Sequence, residues 1–91
     1  MARRVLDFKQ IDDTGTGTSK EILVENCYRK YFLIQNHGDD RLWISFDKPA
    51  VIGEGICLNP KASYEPFCVP SNAIHVISEG TSQLSVIHGG S

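Results

Sequence analysis

No run longer than about seven residues in this chain carries apolar side chains at the i, i+3, i+4, i+7 spacing of an amphipathic helix. Short stretches rich in β-branched and aromatic residues recur instead, roughly ten residues apart, and Gly, Pro, Asn and Asp break them up. That pattern restricts the chain to all-β folds. The clearest stretch is Arg29-Lys30-Tyr31-Phe32-Leu33-Ile34-Gln35-Asn36, then the polar turn His37-Gly38-Asp39-Asp40, then Arg41-Leu42-Trp43-Ile44-Ser45-Phe46. It reads as a β-hairpin with other short strands stacked on it. Phe32 and Ile34 share one face of the first arm, opposite Tyr31, Leu33 and Gln35. On the second arm the alternation assigns Leu42, Ile44 and Phe46 to the core and turns Trp43 outward, between Arg41 and Ser45.

Further strands are expected at residues 20–25, 56–58 and 63–65. A closing hairpin of residues 73–78 and 83–88 is joined by Glu79-Gly80-Thr81-Ser82. The total is about seven or eight short strands, which fits a small antiparallel β-sandwich, jelly-roll-like or barrel-like. Residues 2–10 read as a short strand or an extended arm. Residues 12–19, Asp-Asp-Thr-Gly-Thr-Gly-Thr-Ser, have no apolar side chain and read as a flexible linker. The expected organisation is an N-terminal arm and linker over 1–19 and a sandwich domain over 20–91.

At 91 residues the chain has room for one core. A domain of this size buries only roughly 60–65% of the surface of its unfolded chain, so self-association is expected to add stability. The net charge of −2, from 9 basic and 11 acidic residues, argues against a nucleic-acid partner. Arg3 and Arg4 are the one local basic pair, and they read as solvating charges. No stretch approaches the roughly 20 apolar residues of a membrane span, and no apolar run follows Met1 as a signal peptide requires. The odd count of three Cys, without a C-x-x-C pair, reads as small buried hydrophobes in a reducing compartment.

Chemical motifs are missing in the same way. His37, His75 and His88 lie too far apart in sequence for a closed metal site, and no paired His of the cupin type exists. Gly38-Asp39-Asp40 resembles the acidic turn of RNA-dependent RNA polymerases, but the chain is far too short for a palm domain, and Gly-Asp is ordinary turn chemistry. Thr14-Gly15-Thr16-Gly17-Thr18 lacks the helix that a phosphate loop needs. No nucleophile motif surrounds any Ser or Cys. The expectation is a non-enzymatic protein without a cofactor, metal or small-molecule ligand. Tyr28, Tyr31, Trp43 and Tyr64 suit a sugar-stacking platform or a protein interface equally well.

Arg29-Lys30-x-x-Leu33-Ile34-Gln35-Asn36, Leu42-x-Ile44-x-Phe46 and Gly55-Ile56-x-Leu58-x-Pro60 together resemble a family of small bacteriophage virion proteins. Ser63-Tyr64-Glu65, Pro70-x-Asn72-Ala73-Ile74-x-Val76-Ile77 and Leu84-x-Val86 before Gly89 continue the pattern, which covers roughly residues 28–89. Lys61-Ala62 stand where the pattern has glycine after the Leu-x-Pro turn. The resemblance implies a β-sandwich that decorates or cements the capsid of a tailed phage, assembled in the host cytoplasm. Its partner would be the major capsid protein, and it would commonly be a homotrimer. A head-fibre, tail or carbohydrate-binding module of the same shape is the alternative. Under this reading the candidate interface residues are Arg3, Arg4, Leu6 and Phe8 of the arm, with Trp43 and Tyr64 of the sandwich.

Overall fold

Side chains that alternate between the core and the outer face make Arg29–Asn36 a strand whose Phe32, Ile34 and Asn36 are buried. A register shift between Arg29 and Tyr31 turns Arg29 to the same buried side. This strand is the third of eight in the computed structural model, which describes residues 7–90. The others are β1 (Asp7–Gly15), β2 (Lys20–Leu23), β4 (Leu42–Phe46), β5 (Ile56–Leu58), β6 (Ser63–Tyr64), β7 (Ile74–Ser78) and β8 (Ser82–Gly90). All pairing is antiparallel, and the strands form two sheets of four. The first sheet runs β1-β8-β3-β6 and the second β2-β7-β4-β5. This is the jelly-roll order, and it confirms the expected all-β sandwich.

The order corrects both expected hairpins. β3 lies in the first sheet and β4 in the second, so His37-Gly38-Asp39-Asp40-Arg41 is a corner between sheets. β7 and β8 are separated in the same way, and Glu79-Gly80-Thr81 is a second corner beside the first. Among the described strands, β4 and β5 alone are both consecutive and paired. A polar turn between two amphipathic strands looks the same in sequence whether the chain folds back within a sheet or crosses to the opposite one. In both cases each strand offers one apolar face to a common core.

The expected linker is also corrected over Asp12–Gly15, which is the second half of β1, paired residue for residue with β8. Main-chain hydrogen bonds to a neighbouring strand need no apolar side chains, so composition concealed it. Gly15 is there for space: a Cβ at that position would lie 2.6 Å from Leu42 Cδ2. Within the residues described, the segment expected to reach away from the domain is therefore an edge strand of it. Residues 16–19 remain a connection to β2.

Leu23, Phe32, Ile34, Leu42, Ile44, Leu58, Ile74, Val76, Leu84 and Val86 fill the space between the sheets. Burying each such side chain fully is worth about 1.5–3 kcal/mol. Leu42 and Ile44 are inside as the alternation requires, whereas Phe46 is half-buried at the margin.

Polar groups close the two ends of this core. At one end the inward Asn36 side chain is completely buried. Its Nδ2 donates to the carbonyls of Asp40 at 2.8 Å, Leu58 at 3.1 Å and Asn59 at 3.3 Å. Its Oδ1 accepts from Gly38 N at 3.0 Å and from the buried Ser82 hydroxyl at 2.6 Å. One side chain thus joins the β3–β4 corner, the end of β5 and the start of β8. Gly38 is required here, because a Cβ would sit 1.9 Å from Ser82 Oγ. At the other end Arg29 is 7% exposed. Its guanidinium donates to the carbonyls of Pro70 at 2.6 Å, Asn72 at 3.0 Å and Val24 at 2.7 Å, which clamps the β2–β3 loop to the β6–β7 loop. Burial pushes its pKa down from the ordinary arginine value.

Truncating Asn36 to Ala strands a buried hydroxyl and several carbonyls, and is expected to lower the unfolding free energy by about 2–4 kcal/mol in urea denaturation. Arg29→Lys is expected to cost about 1–3 kcal/mol, because a single ammonium cannot serve three carbonyls arranged around a planar fork.

Candidate interaction surfaces

The outer face of the first sheet divides into an apolar and a polar half. Gly89 of β8 is paired with Phe8 of β1 on one side and Tyr31 of β3 on the other. With no side chain between them, the two rings meet edge to face, centroids 5.3 Å apart. Ile87 and Leu33, paired with each other, continue the apolar strip. The Tyr31 phenol hydrogen-bonds to the Glu65 carboxylate, which raises its pKa above the ordinary tyrosine value. The polar half is a chain of hydrogen bonds: Gln10 Nε2 donates to Asp12 at 3.2 Å, Ser85 Oγ donates to Asp12 Oδ1 at 2.6 Å, and His37 Nε2 meets Ser85 Oγ at 2.9 Å. These are the residue types of a catalytic triad wired in another order. The serine proton is committed to the carboxylate, and the imidazole does not bridge the two. The Ser85 and Gln10 hydrogen bonds hold the Asp12 pKa below its ordinary value.

On the outer face of the second sheet Trp43 lies half-buried between Ile77 of β7 and Cys57 of β5. The Arg41 guanidinium stacks over its ring at 5.7 Å and is held there by Glu79, at 2.8 and 2.7 Å. The indole N–H is buried without an acceptor among the described residues. Beside it the β4–β5 loop, residues 47–55, folds back so that Ala50 N donates to Ser19 Oγ at 2.7 Å. A shallow recess under the loop is lined by Ser45, Lys48, Pro49, Val51, Glu54 and Gly55.

The two ends of the sandwich differ more sharply. The end that carries the corners His37–Arg41 and Glu79–Thr81 is polar, with Asp39, Arg41, Lys61 and Glu79 at its surface. The opposite end, where β1 begins and β8 finishes, is formed by the β2–β3 loop (residues 24–28), the β6–β7 loop (residues 65–73) and the start of the β4–β5 loop. There Asp47 N donates to Ala73 O at 2.9 Å and Ala73 N to Asp47 Oδ1 at 3.0 Å. A 2.8 Å hydrogen bond from Asn26 N to Ser71 O ties these loops together, and the Arg29 fork reinforces it. There Val24 is 69% exposed, Tyr28 67%, and Phe67 fully exposed. Cys27 and Cys68, next in sequence to Tyr28 and Phe67, are exposed as well, and Cys57 is half-buried. The expectation of three buried cysteines is therefore corrected: the β6–β7 loop is anchored on the core by Val69, and main-chain hydrogen bonds with the Arg29 fork hold the rest, so Cys27 and Cys68 stay outside.

The sequence-derived interface residues do not converge. Arg3, Arg4 and Leu6 lie outside the described residues. Phe8 is on the outer face of the first sheet and Trp43 on that of the second, at opposite sides of the sandwich. Tyr64 turns inward, edge-on to Phe32 with centroids 6.5 Å apart, and belongs to the margin of the core. For the same reason Tyr28, Tyr31, Trp43 and Tyr64 do not form one stacking platform. Val24 and Phe67 carried no periodic signal, since both lie in loops. The pairs Cys27-Tyr28 and Phe67-Cys68 were the available hint, and it becomes legible only once the loops are known to be neighbours.

No protein-family model matches this chain, and no curated protein matches it. Among solved structures it is similar to a protein of the Bacillus endospore appendages, which form a family of disulfide-linked pili. The two superpose with a TM-score of 0.51 over 96% of this chain and 88% of the other, at 20% identity. At that identity the likeness speaks to the shared β-sandwich fold.

His88 points inward at the terminal end, paired with Lys9 and Phe32. Desolvation first, then the charges of Arg29 and Lys9, push its pKa below the ordinary 6.5. As pH falls through about 6.5 the unfolded chain takes up a proton that the folded chain refuses, so this group lowers stability in acid. Urea unfolding is expected to show wild-type stability falling below that pH more steeply than stability of His88→Gln.

Proposed function

We propose that this protein is a non-catalytic structural subunit that decorates or cements the capsid of a tailed bacteriophage, docking through its terminal end. The observation that carries the reading is the convergence of Val24, Tyr28 and Phe67 at one end of a rigid sandwich whose other end is polar. Monomeric proteins rarely gather exposed large side chains in one place unless something covers them, and aromatic residues dominate the centres of interfaces. The virion setting is what the sequence resemblance adds. A subunit of this kind binds the assembled lattice in preference to its separated parts and stabilises it by mass action. Contacts to two or three lattice subunits at once multiply weak individual affinities. The loops that present the docking residues are already fixed by the Arg29 fork, so little conformational entropy is lost on binding.

A second reading, a fibre subunit of the same sandwich, draws on Cys27 and Cys68. Both are exposed at the docking end, and the appendage protein of like fold comes from disulfide-linked pili. On this reading, non-reducing electrophoresis of the particles would show a ladder of multimers that dithiothreitol collapses.

Because β1 is a strand of the first sheet, substitutions in the end loops give a cleaner test than deletion through residue 19. The variant Val24→Ser, Tyr28→Ser, Phe67→Ser should keep the wild-type circular dichroism spectrum. It should lose most of its occupancy on capsids in cryo-electron microscopy, whereas full occupancy would refute docking through this end.

A further inference from the structure

β1 is the one long regular edge in the sandwich. Among the edge strands β6 has 2 residues, β5 has 3, and β2 has 4 with a register shift between Glu21 and Leu23. β1 has 9, paired to β8 without interruption, and its other side faces no strand among the described residues. Such an edge presents a row of unpaired N–H and C=O groups that a second strand can complete.

We propose that the edge is completed by β1 of a second copy, antiparallel about a two-fold axis at Ile11, which merges two first sheets into one continuous sheet. The register follows from the residues. A two-fold axis perpendicular to the sheet keeps inner faces inner, and this requires a residue to sit at the axis opposite its own copy. Centred on Gln10, the pairing sets Lys9 opposite Ile11 of the second copy and forms no ion pair. Centred on Asp12, it sets Asp12 against itself. Centred on Ile11, the central contacts are favourable: Ile11 meets Ile11, Gln10 meets Asp12 on the outer face, and Lys9 meets Asp13 on the inner face, the last two contacts each occurring twice.

The side chains are placed for it. Lys9 and Asp13 share the inner face with Ile11, since they pair with His88, Leu84 and Val86 of β8. Lys9 is exposed, and among the described residues it has no ion-pair partner. Asp13 Oδ1 already accepts from Lys20 Nζ at 2.6 Å and from Thr14 N at 2.7 Å, and its Oδ2 has no partner among the described residues. Opposite charges facing each other across a strand pair favour pairing, and like charges oppose it. This interface lies on the flank of the sandwich, apart from the terminal end, and does not depend on the reading of that end.

Sedimentation equilibrium up to millimolar concentration tests it. Lys9→Asp alone is expected to weaken dimerisation roughly tenfold or more, because both ion pairs become repulsive. Asp13→Lys should do the same, and the double variant Lys9→Asp, Asp13→Lys should recover the wild-type constant. Independently, Ile11→Cys should form a covalent dimer in a glutathione redox buffer, with the linkage at position 11 identified by peptide mass spectrometry. Opposed Cα atoms at the axis would be about 4.5–5.5 Å apart, within reach of a disulfide. A wild-type chain that stays monomeric would overturn the proposal and leave Lys9 and Asp13 as charges that guard the edge. Self-association indifferent to both charges, or Ile11→Cys dimers linked only through Cys27, Cys57 or Cys68, would overturn it too.

Discussion

The Asn36 carboxamide is the interaction on which the architecture turns. A jelly roll sends the chain back and forth between sheets, and each crossing leaves main-chain groups at the rim of the core without a ladder partner. At the polar end three such segments, from the β3–β4 corner, the β5 terminus and the β8 start, meet around one side chain that donates to three carbonyls and accepts from two donors. A buried amide in that position is costly if any partner is lost and stabilising when all are present. It fixes which corner meets which, something that hydrophobic burial alone does not specify.

Arg29 is its counterpart at the other end of the same strand, and the two ends have different consequences. Asn36 is neutral and leaves the polar end smooth and solvated. Arg29 brings a buried charge balanced only by carbonyl dipoles, and what it holds together is a pair of loops with Val24, Tyr28 and Phe67 on the outside. These residues stay outside the core, where Val69 is the residue of the β6–β7 loop that packs against it. The fold thereby presents a preorganised apolar surface at the end where the chain begins its first strand.

Much of this was legible in the sequence and some was not. The Phe32/Ile34 and Leu42/Ile44 alternations marked the core walls correctly, because two-residue periodicity is a direct image of the pleat. The corners look like hairpins in sequence because the residues around His37-Gly38-Asp39-Asp40 record where strands stop and not which sheet receives the next one. Asp12–Gly15 reads as linker because its stabilising contacts are main-chain hydrogen bonds, which leave no mark in composition. Arg29 and Asn36 stood out only as part of a resemblance. A buried polar hub acquires its meaning from partners tens of residues away, such as Ser82, Asn59 and Pro70. The candidate interface scattered for the same reason: Phe8 and Trp43 are outward on opposite sheets, and alternation cannot say which outside is which.

Hydrogen–deuterium exchange of the protein alone and bound to intact capsids is the most direct measurement of the central claim, that the terminal end is the docking surface. The account predicts new protection over residues 24–28 and 65–70, with residues 37–41 and 79–81 at the polar end unchanged. Protection confined to the polar corners, with exchange at the terminal loops unaltered by the capsid, would contradict it.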